Sequence, residues 1–321
     1  MATRLRLGTR GSQLALRQAE LVRAALLAAH PDLTVDLEII HTQGDRAADV
    51  PLHLLSGQGV FAKAIEEALL DGRVDLAVHS LKDLPSVETP GLEIAAVPPR
   101  EDARDALVSR GDLTFAALPH GARVATGSPR RAAQLKAARP DLAIVDVRGN
   151  LDTRLRKLQT DGLDALVLAV AGLSRLGLAA RIADALPTTL CLPAVGQGAL
   201  AVQCRADDTA TRALLAPLDD AATHAAAQAE RALLAALGGG CKVPIAAYAH
   251  LHDGELHLDG MVAVPDGSQV LRDSLSAPLA AAAPLGMGLA ARLMAAGAGD
   301  LLGERAAEVD SSPSPPGRGL G

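Results

Sequence analysis

The stretch VDLAVHSLKDLP, residues 74–85, passes from a short apolar segment straight into a polar loop. Val74–Val78 has the length and composition of a strand buried on both faces, which belongs in a sheet covered by helices. The loop after it, His79-Ser80-Leu81-Lys82-Asp83, then lies at the carboxyl end of that strand, where open α/β sheets bind ligands. The same alternation repeats on either side. Upstream, Arg4–Gly8 and Thr34–Ile40 read as strands. Ser12 can cap a helix whose apolar positions are Leu14, Leu16, Ala19, Val22 and Leu26, and Val60–Leu70 is a second amphipathic helix. Downstream, Leu92–Val97 is another strand. Strand–helix–strand repetition implies a parallel or mixed sheet with both faces covered.

A second set follows the charged stretch Arg100–Arg104. Ala106–Ser109, Arg123–Thr126, Ala143–Val147 and Ala165–Ala169 read as strands, with helices at Arg130–Ala138 and Leu151–Leu158. A Gly/Pro break at Pro193–Gly198 precedes one more strand, Ala199–Cys204. That late strand can return to the first sheet, which would make two crossovers and a hinge. From Ala221 an Ala-rich helix runs to Gly238-Gly239-Gly240. Three short strands follow (Ile245–His250, Glu255–Val264 and Gln269–Ser276), and then a helix over Leu279–Ala296. The expected division is residues 1–98 with 199–217, residues 104–193, and residues 221–305. The tail, 311–321, is Pro/Gly/Ser-rich and reads as disordered.

Composition narrows the function. The chain has 321 residues, 49% hydrophobic and 21% charged, enough apolar material for large cores and too much for global disorder. No run of about 18 uninterrupted apolar residues exists, so no spanning helix is expected. The N-terminus keeps its charges and has no continuous apolar core, so no secretory signal is expected and the cytoplasm is the default location. A net charge of −6 argues against nucleic-acid binding. The three aromatics, Phe61, Phe115 and Tyr248, cannot form a base-stacking platform. Three cysteines, Cys191, Cys204 and Cys241, suit neither a disulfide framework nor a zinc site, and no metal is expected. Cys191 and Cys204 read as buried and inert.

Of the 31 basic residues, 26 are Arg and only 5 Lys. Six arginines follow or open elements at the same sheet edge: Arg10, Arg130, Arg131, Arg148, Arg154 and Arg175. A guanidinium is a planar fork that matches carboxylates, and helix N-termini in the same loops favour anions. The expected site is therefore a cleft for a polyanion. Within it Asp83 reads as the lone acid, which has an electrostatic purpose only if the ligand also brings positive charge or N–H donors. The run Gly239-Gly240-Cys241-Lys242 leaves a thiol unshielded beside a cation, or is simply a helix C-cap.

Six motifs in order resemble one family, porphobilinogen deaminase (hydroxymethylbilane synthase): HSLKDLP (79–85), TGSPRRAAQL (126–135), VRGNLDTRL (147–155), LAVAGLSRLGL (168–178), LPAVGQGALAVQCR (192–205) and GGGCKVPIAAYA (238–249). The resemblance implies an α/β fold of two periplasmic-binding-protein-like lobes with mixed sheets, plus a small α+β C-terminal domain. It implies a monomeric transferase that joins four porphobilinogens head to tail, releasing ammonia at each step to give hydroxymethylbilane. A dipyrromethane cofactor would be held by a thioether to Cys241. Asp83 matches the family's catalytic acid, which binds pyrrole N–H groups and steadies the cation left when ammonia departs. Lys82, Asp83, Thr126, Ser128, Arg130, Arg131, Arg148 and Gly149 would hold the cofactor. Arg10, Ser12, Gln18, Phe61, Ser80, Arg148, Arg154 and Arg175 would hold substrate. Gln43, Leu54 and Gln58 depart from a pattern rich in cations, which lowers the expected role of the 42–59 loop in binding carboxylates. Two rival classes remain at this point: a non-catalytic two-lobed anion-binding protein or sensor, and a transferase with turnover at Cys241.

Overall fold

The computed structural model describes residues 4–42, 62–239 and 243–303. Phe61, Cys241, the departures at Gln43, Leu54 and Gln58, and the tail lie outside the described residues. Strands and helices are numbered along the chain.

The first sheet contains β1 (Arg4–Thr9), β2 (Thr34–Ile39), β3 (Leu76–Ser80), β4 (Leu92–Ala96) and β10 (Leu200–Arg205), in the order β2-β1-β3-β10-β4. β1 runs parallel to β2 and β3, and β10 runs antiparallel to β3 and β4. Both faces are covered, as the apolar run around residue 76 implies. Leu76 and Val78 pack with Ala19, Val22 and Leu26 of helix α1 (Gln13–Ala29). Ala77 packs on the other face with Ile65, Ala68 and Leu69 of helix α2 (Lys63–Leu70). Burying one such Leu or Ile contributes about 1.5–3 kcal/mol, so the two layers fix the register of β3. β3 begins and ends two residues later than expected, so His79 and Ser80 are strand residues and only Leu81–Asp83 form the turn.

The second sheet repeats this plan. β5 (Asp105–Ser109), β6 (Arg123–Ala125), β7 (Ala143–Val145), β8 (Ala165–Ala169) and β9 (Asp184–Leu186) lie in the order β7-β6-β8-β5-β9. β6 is parallel to β7 and β8, and β5 is antiparallel to β8 and β9. Helices α3 (Pro129–Ala138), α4 (Leu151–Thr160) and α5 (Val170–Arg175) flank it. β9 is a strand the sequence pattern does not announce, because Asp184-Ala185-Leu186 offers no apolar or β-branched run.

In each sheet the antiparallel strand is the one arriving from the other lobe, β5 after β4 and β10 after β9. The chain therefore crosses twice, through 97–104 and 187–199, and β10 does return to the first sheet. The crossovers touch each other: the Glu101 amide donates to the Gly198 carbonyl at 3.2 Å. Gly198 has φ 88°, and a Cβ there would come within 2.3 Å of the Glu101 carbonyl oxygen, so only glycine allows the approach.

Helices α6 (Thr209–Leu215) and α7 (Ala221–Ala236) follow. A three-stranded antiparallel sheet is then built from β11 (Ile245–His252), β12 (Glu255–Ala263) and β13 (Val270–Pro278), and helix α8 (Ala282–Leu293) comes after it. The helical run Leu279–Gly303 is long and apolar enough to cross a membrane by length and composition. Here its buried residues Leu285, Leu289 and Leu293 complete a core with Leu233 of α7 and Leu256, Leu258 and Val262 of the sheet, which makes it a core helix. The architecture is thus two mixed-sheet α/β lobes and a small α+β unit, the expected fold class.

The candidate active site between the lobes

Each lobe presents the ends of its parallel strands to the other. In the first, Ser12 accepts from the Ala15 amide at 3.3 Å and starts α1, as expected of a Ser before an apolar-periodic run. α1 then places Gln18 against the end of β3, where its amide nitrogen donates to Ser80 Oγ at 2.9 Å. A small cavity here is lined by Arg10, Gln18, His79, Ser80 and Asp83 among others. His79 is buried, and burial pushes its proton affinity down to about 4, so the ring is neutral near pH 7.

Asp83 makes no hydrogen bond and no ion pair within 4.0 Å among the described residues, although it lies within electrostatic reach of Lys82 and Arg154. A half-buried carboxylate in that position has its acceptor oxygens available to a ligand. Lys82 donates from Nζ to the Gln197 side-chain oxygen at 3.2 Å. Burial first, and then the positive charge of Arg131, lower its pKa to about 8.

In the second lobe, Ser128 accepts from the Arg131 amide at 3.4 Å and Pro129 takes the first helical position, so Thr126-Gly127-Ser128 leads directly into α3. Asn150 caps α4 in the same way, accepting from the Thr153 amide at 3.0 Å. Gly149 ahead of it has φ 108°, open only to glycine. These caps carry Arg131, Arg148 and Arg154 to one place. Arg154 donates to the Gly149 carbonyl at 2.8 Å, and its pKa falls to about 10 through burial and then repulsion from Arg131 and Arg148. Arg148 has one acid beside it, Asp146, at 3.0 Å.

The expectation that Asp83 is the lone acid of this rim is overturned. Asp105, fully buried at the start of β5, holds Arg130 at 2.7 Å and Arg131 at 2.6 Å. Burial alone would raise its pKa, but the two guanidinium groups outweigh that and hold the carboxyl far below its usual range. Gln197 adds a third donor to Asp105 at 2.8 Å, and the Cys191 thiol a fourth at 3.2 Å. Four of the six arginines differ from a simple forked rim: Arg130 and Arg131 are largely committed to Asp105, Arg154 bonds a carbonyl, and Arg175 donates to the Gly198 carbonyl at 2.6 Å. Asp105 escaped the sequence reading because it stands beside the solvent-like run Arg100–Arg104. Its signal is an acid directly before the apolar run Ala106-Leu107-Val108.

Cys191 and Cys204 are free and buried, as expected, and burial pushes their thiols up to about 12 and about 11. No group of three or more His, Cys, Asp or Glu among the described residues could hold a metal ion.

The remaining imbalance states what the cleft accepts. Lys82, Arg131, Arg148 and Arg154 crowd one another, and Arg130 Nε is buried without a partner among the described residues. Several carboxylates would relieve that repulsion, and N–H donors would occupy Asp83. A dipyrromethane, which has both features, fits these residues.

Sequence comparison agrees. The family model described as "Porphobilinogen deaminase, dipyromethane cofactor binding domain" matches residues 5–213, and "Porphobilinogen deaminase, C-terminal domain" matches residues 224–295. A porphobilinogen deaminase of Syntrophotalea carbinolica is 52% identical over 311 residues, covering 97% of this chain and 98% of its own. One of Roseiflexus sp. (strain RS-1) is 53% identical over 305 residues, covering 94% and 99%. A weaker likeness runs to the solved methionine binding protein MetQ, 14% identical with a TM-score of 0.42 over 67% of this chain and 89% of that one. With both family models matched in order along nearly its whole length, the chain belongs to the porphobilinogen deaminase family, transferases with a dipyrromethane cofactor.

Proposed function

We propose that Asp83 is the catalytic acid in the family's reaction, the head-to-tail joining of four porphobilinogens with loss of ammonia to give hydroxymethylbilane. One observation carries this: a half-buried carboxylate, unengaged among the described residues, within electrostatic reach of Lys82 and Arg154. Its oxygens accept the pyrrole N–H of the substrate, and its charge stabilises the cation that develops on the substrate as ammonia leaves. Protonated, it can hand its proton to the departing amine. Bound through Cys241, the dipyrromethane supplies the nucleophilic pyrrole carbon that starts the chain.

Arg148, Gly149, Thr126, Ser128 and Lys82, with the charge of Arg130 and Arg131 behind them, hold the acetate and propionate groups of that primer. Asp105 fixes Arg130 and Arg131 so that their charge is aimed before any ligand arrives. Arg10, Ser12, Gln18, Phe61, Ser80, Arg154 and Arg175 serve the incoming substrate and the lengthening chain. Neutral His79 keeps a further cation out of the pocket beside Asp83. The working division is 1–98 with 199–217, 104–193 and 221–305, in a cytoplasmic monomer. The distance in sequence between Cys241 and its nearest candidate base, His79, and an Asp83 carboxylate unengaged among the described residues favour this over turnover at the thiol or a sensor role.

Intact-mass measurement tests the assignment. Wild-type protein carries a two-pyrrole adduct, and Cys241→Ser carries none. Asp83→Asn still binds porphobilinogen but barely condenses it. An adduct on Cys241→Ser, or Asp83→Asn turning over at the wild-type rate, removes the corresponding role.

A further inference from the structure

A larger cavity, about 310 Å³, lies away from the cleft, between the back of the Lys82–Asp83 turn and helix α7. That size falls at the lower end of ligand pockets, which run from about 300 Å³ upward. Its floor is Leu81, Ile94 and Val97. Its far wall is α7, where alanines leave the space open and Arg231 projects from the helix.

Two charges flank this floor with few partners. Arg231 makes one hydrogen bond, from Nη2 to the Ser86 carbonyl at 3.3 Å, and no carboxylate lies within 4.0 Å of it among the described residues. Glu88, an exposed residue of the same lining two positions beyond Ser86, makes no hydrogen bond or ion pair among the described residues. The two sense each other, because Glu88 is the largest charge opposing the effect of burial on Arg231, yet they stay apart. The other basic side chain in the lining, His224, already faces Asp219, with Nδ1 at 2.8 Å. A guanidinium and a carboxylate that line one cavity beside Leu81, Ile94 and Val97 without pairing suit a ligand that carries the reverse pair.

We propose that this cavity binds a compact zwitterion, with a carboxylate on Arg231, an ammonium on Glu88 and a flat apolar body on Leu81, Ile94 and Val97. The substrate, an aminomethyl pyrrole with carboxylates, belongs to this chemical class. Leu81 directly precedes Lys82 and Asp83, so an occupant packs against the turn that presents both. The site is separate from the cleft and does not depend on the roles assigned there.

The probe is 4-(aminomethyl)benzoate, titrated calorimetrically into the full-length holoenzyme and its variants. Saturable binding is expected, weakened about tenfold or more by Arg231→Met and by Glu88→Gln, in line with the loss of one charge-assisted hydrogen bond. Ala235→Phe fills the cavity from its exposed rim and abolishes binding without disturbing a buried side chain. Asp83→Asn leaves binding unchanged. Benzoate and benzylamine, each lacking one charge, bind more weakly than the probe. The proposal is overturned by absence of saturable binding to wild type, by binding that survives both Glu88→Gln and Ala235→Phe, or by binding lost in Asp83→Asn.

Discussion

Gln197 and Lys82 tie the two lobes together at the site: the Gln197 side-chain oxygen accepts from Lys82 Nζ at 3.2 Å, while its nitrogen donates to Asp105 Oδ1 at 2.8 Å. One amide on the second crossover thereby orients a cation of the first lobe and the buried acid of the second. Its nitrogen also donates to the Ala103 carbonyl at 2.7 Å, on the first crossover. A primary amide can accept from a cation and donate to a carboxylate at once without changing its charge.

Gln197→Leu keeps the volume and removes both ends of this link. Asp105 loses one buried donor, and the expected cost is about 1–3 kcal/mol of stability. Urea denaturation measures it. A change below a few tenths would mean that the Arg130–Arg131 pair alone satisfies Asp105.

Glu230→Gln tests the hinge. Glu230 is fully buried and takes both guanidinium nitrogens of Arg100, at 2.5 and 3.2 Å, with the Gly196 amide at 2.6 Å and the Ala249 amide at 2.8 Å. It so joins both crossovers to the C-terminal unit. Leaving Arg100 without its counter-charge should cost about 3–5 kcal/mol. Thermal unfolding of the variant within a degree of wild type would rule out this anchoring role.

Arg154→Met separates function from stability. The native guanidinium is crowded by Arg131 and Arg148, so its removal should leave the melting temperature unchanged or higher. Turnover should nevertheless fall at least about tenfold, because a carboxylate loses a charge-assisted partner. A variant that is both less stable and fully active contradicts the assignment.

His79 gives a pH signature. Its folded-state value, about 4, lies below the ordinary 6.5, so the unfolded chain takes up the proton first as pH falls. Stability is fully present above pH 6.5 and is lost progressively down to about 4. The span corresponds to about 3 kcal/mol. His79→Gln should flatten the stability curve by about that amount between pH 7 and 4, measured by chemical denaturation at each pH. Parallel curves for the two proteins would place the acid sensitivity elsewhere.

Much of this was legible in advance where a residue's role depends on its neighbours in the chain. Ser12 caps the helix that follows it, as its place before an apolar-periodic run announces, and a cap acts within three residues. The strands around residues 76 and 166 announce themselves by apolar runs that must be buried on both faces. Gln203 and Glu66, by contrast, meet at 3.2 Å inside the first lobe although they are 137 positions apart. Neither has a local pattern to betray the contact.

The sequence by itself determined the alternating α/β grammar, the cap at Ser12, and the motifs around Asp83 and the arginines. Those features rest on short-range periodicity and local hydrogen bonding, which are written in consecutive residues. Only the tertiary structure decided which cations are spent and which remain. Arg130 and Arg131 settle on Asp105, while Asp83, in the same neighbourhood, stays unengaged among the described residues. The physical reason is that pairing energy depends on distance and burial. Asp105 meets its arginines because β5 packs against α3 inside the second lobe, whereas Asp83 stands at the end of a strand of the first.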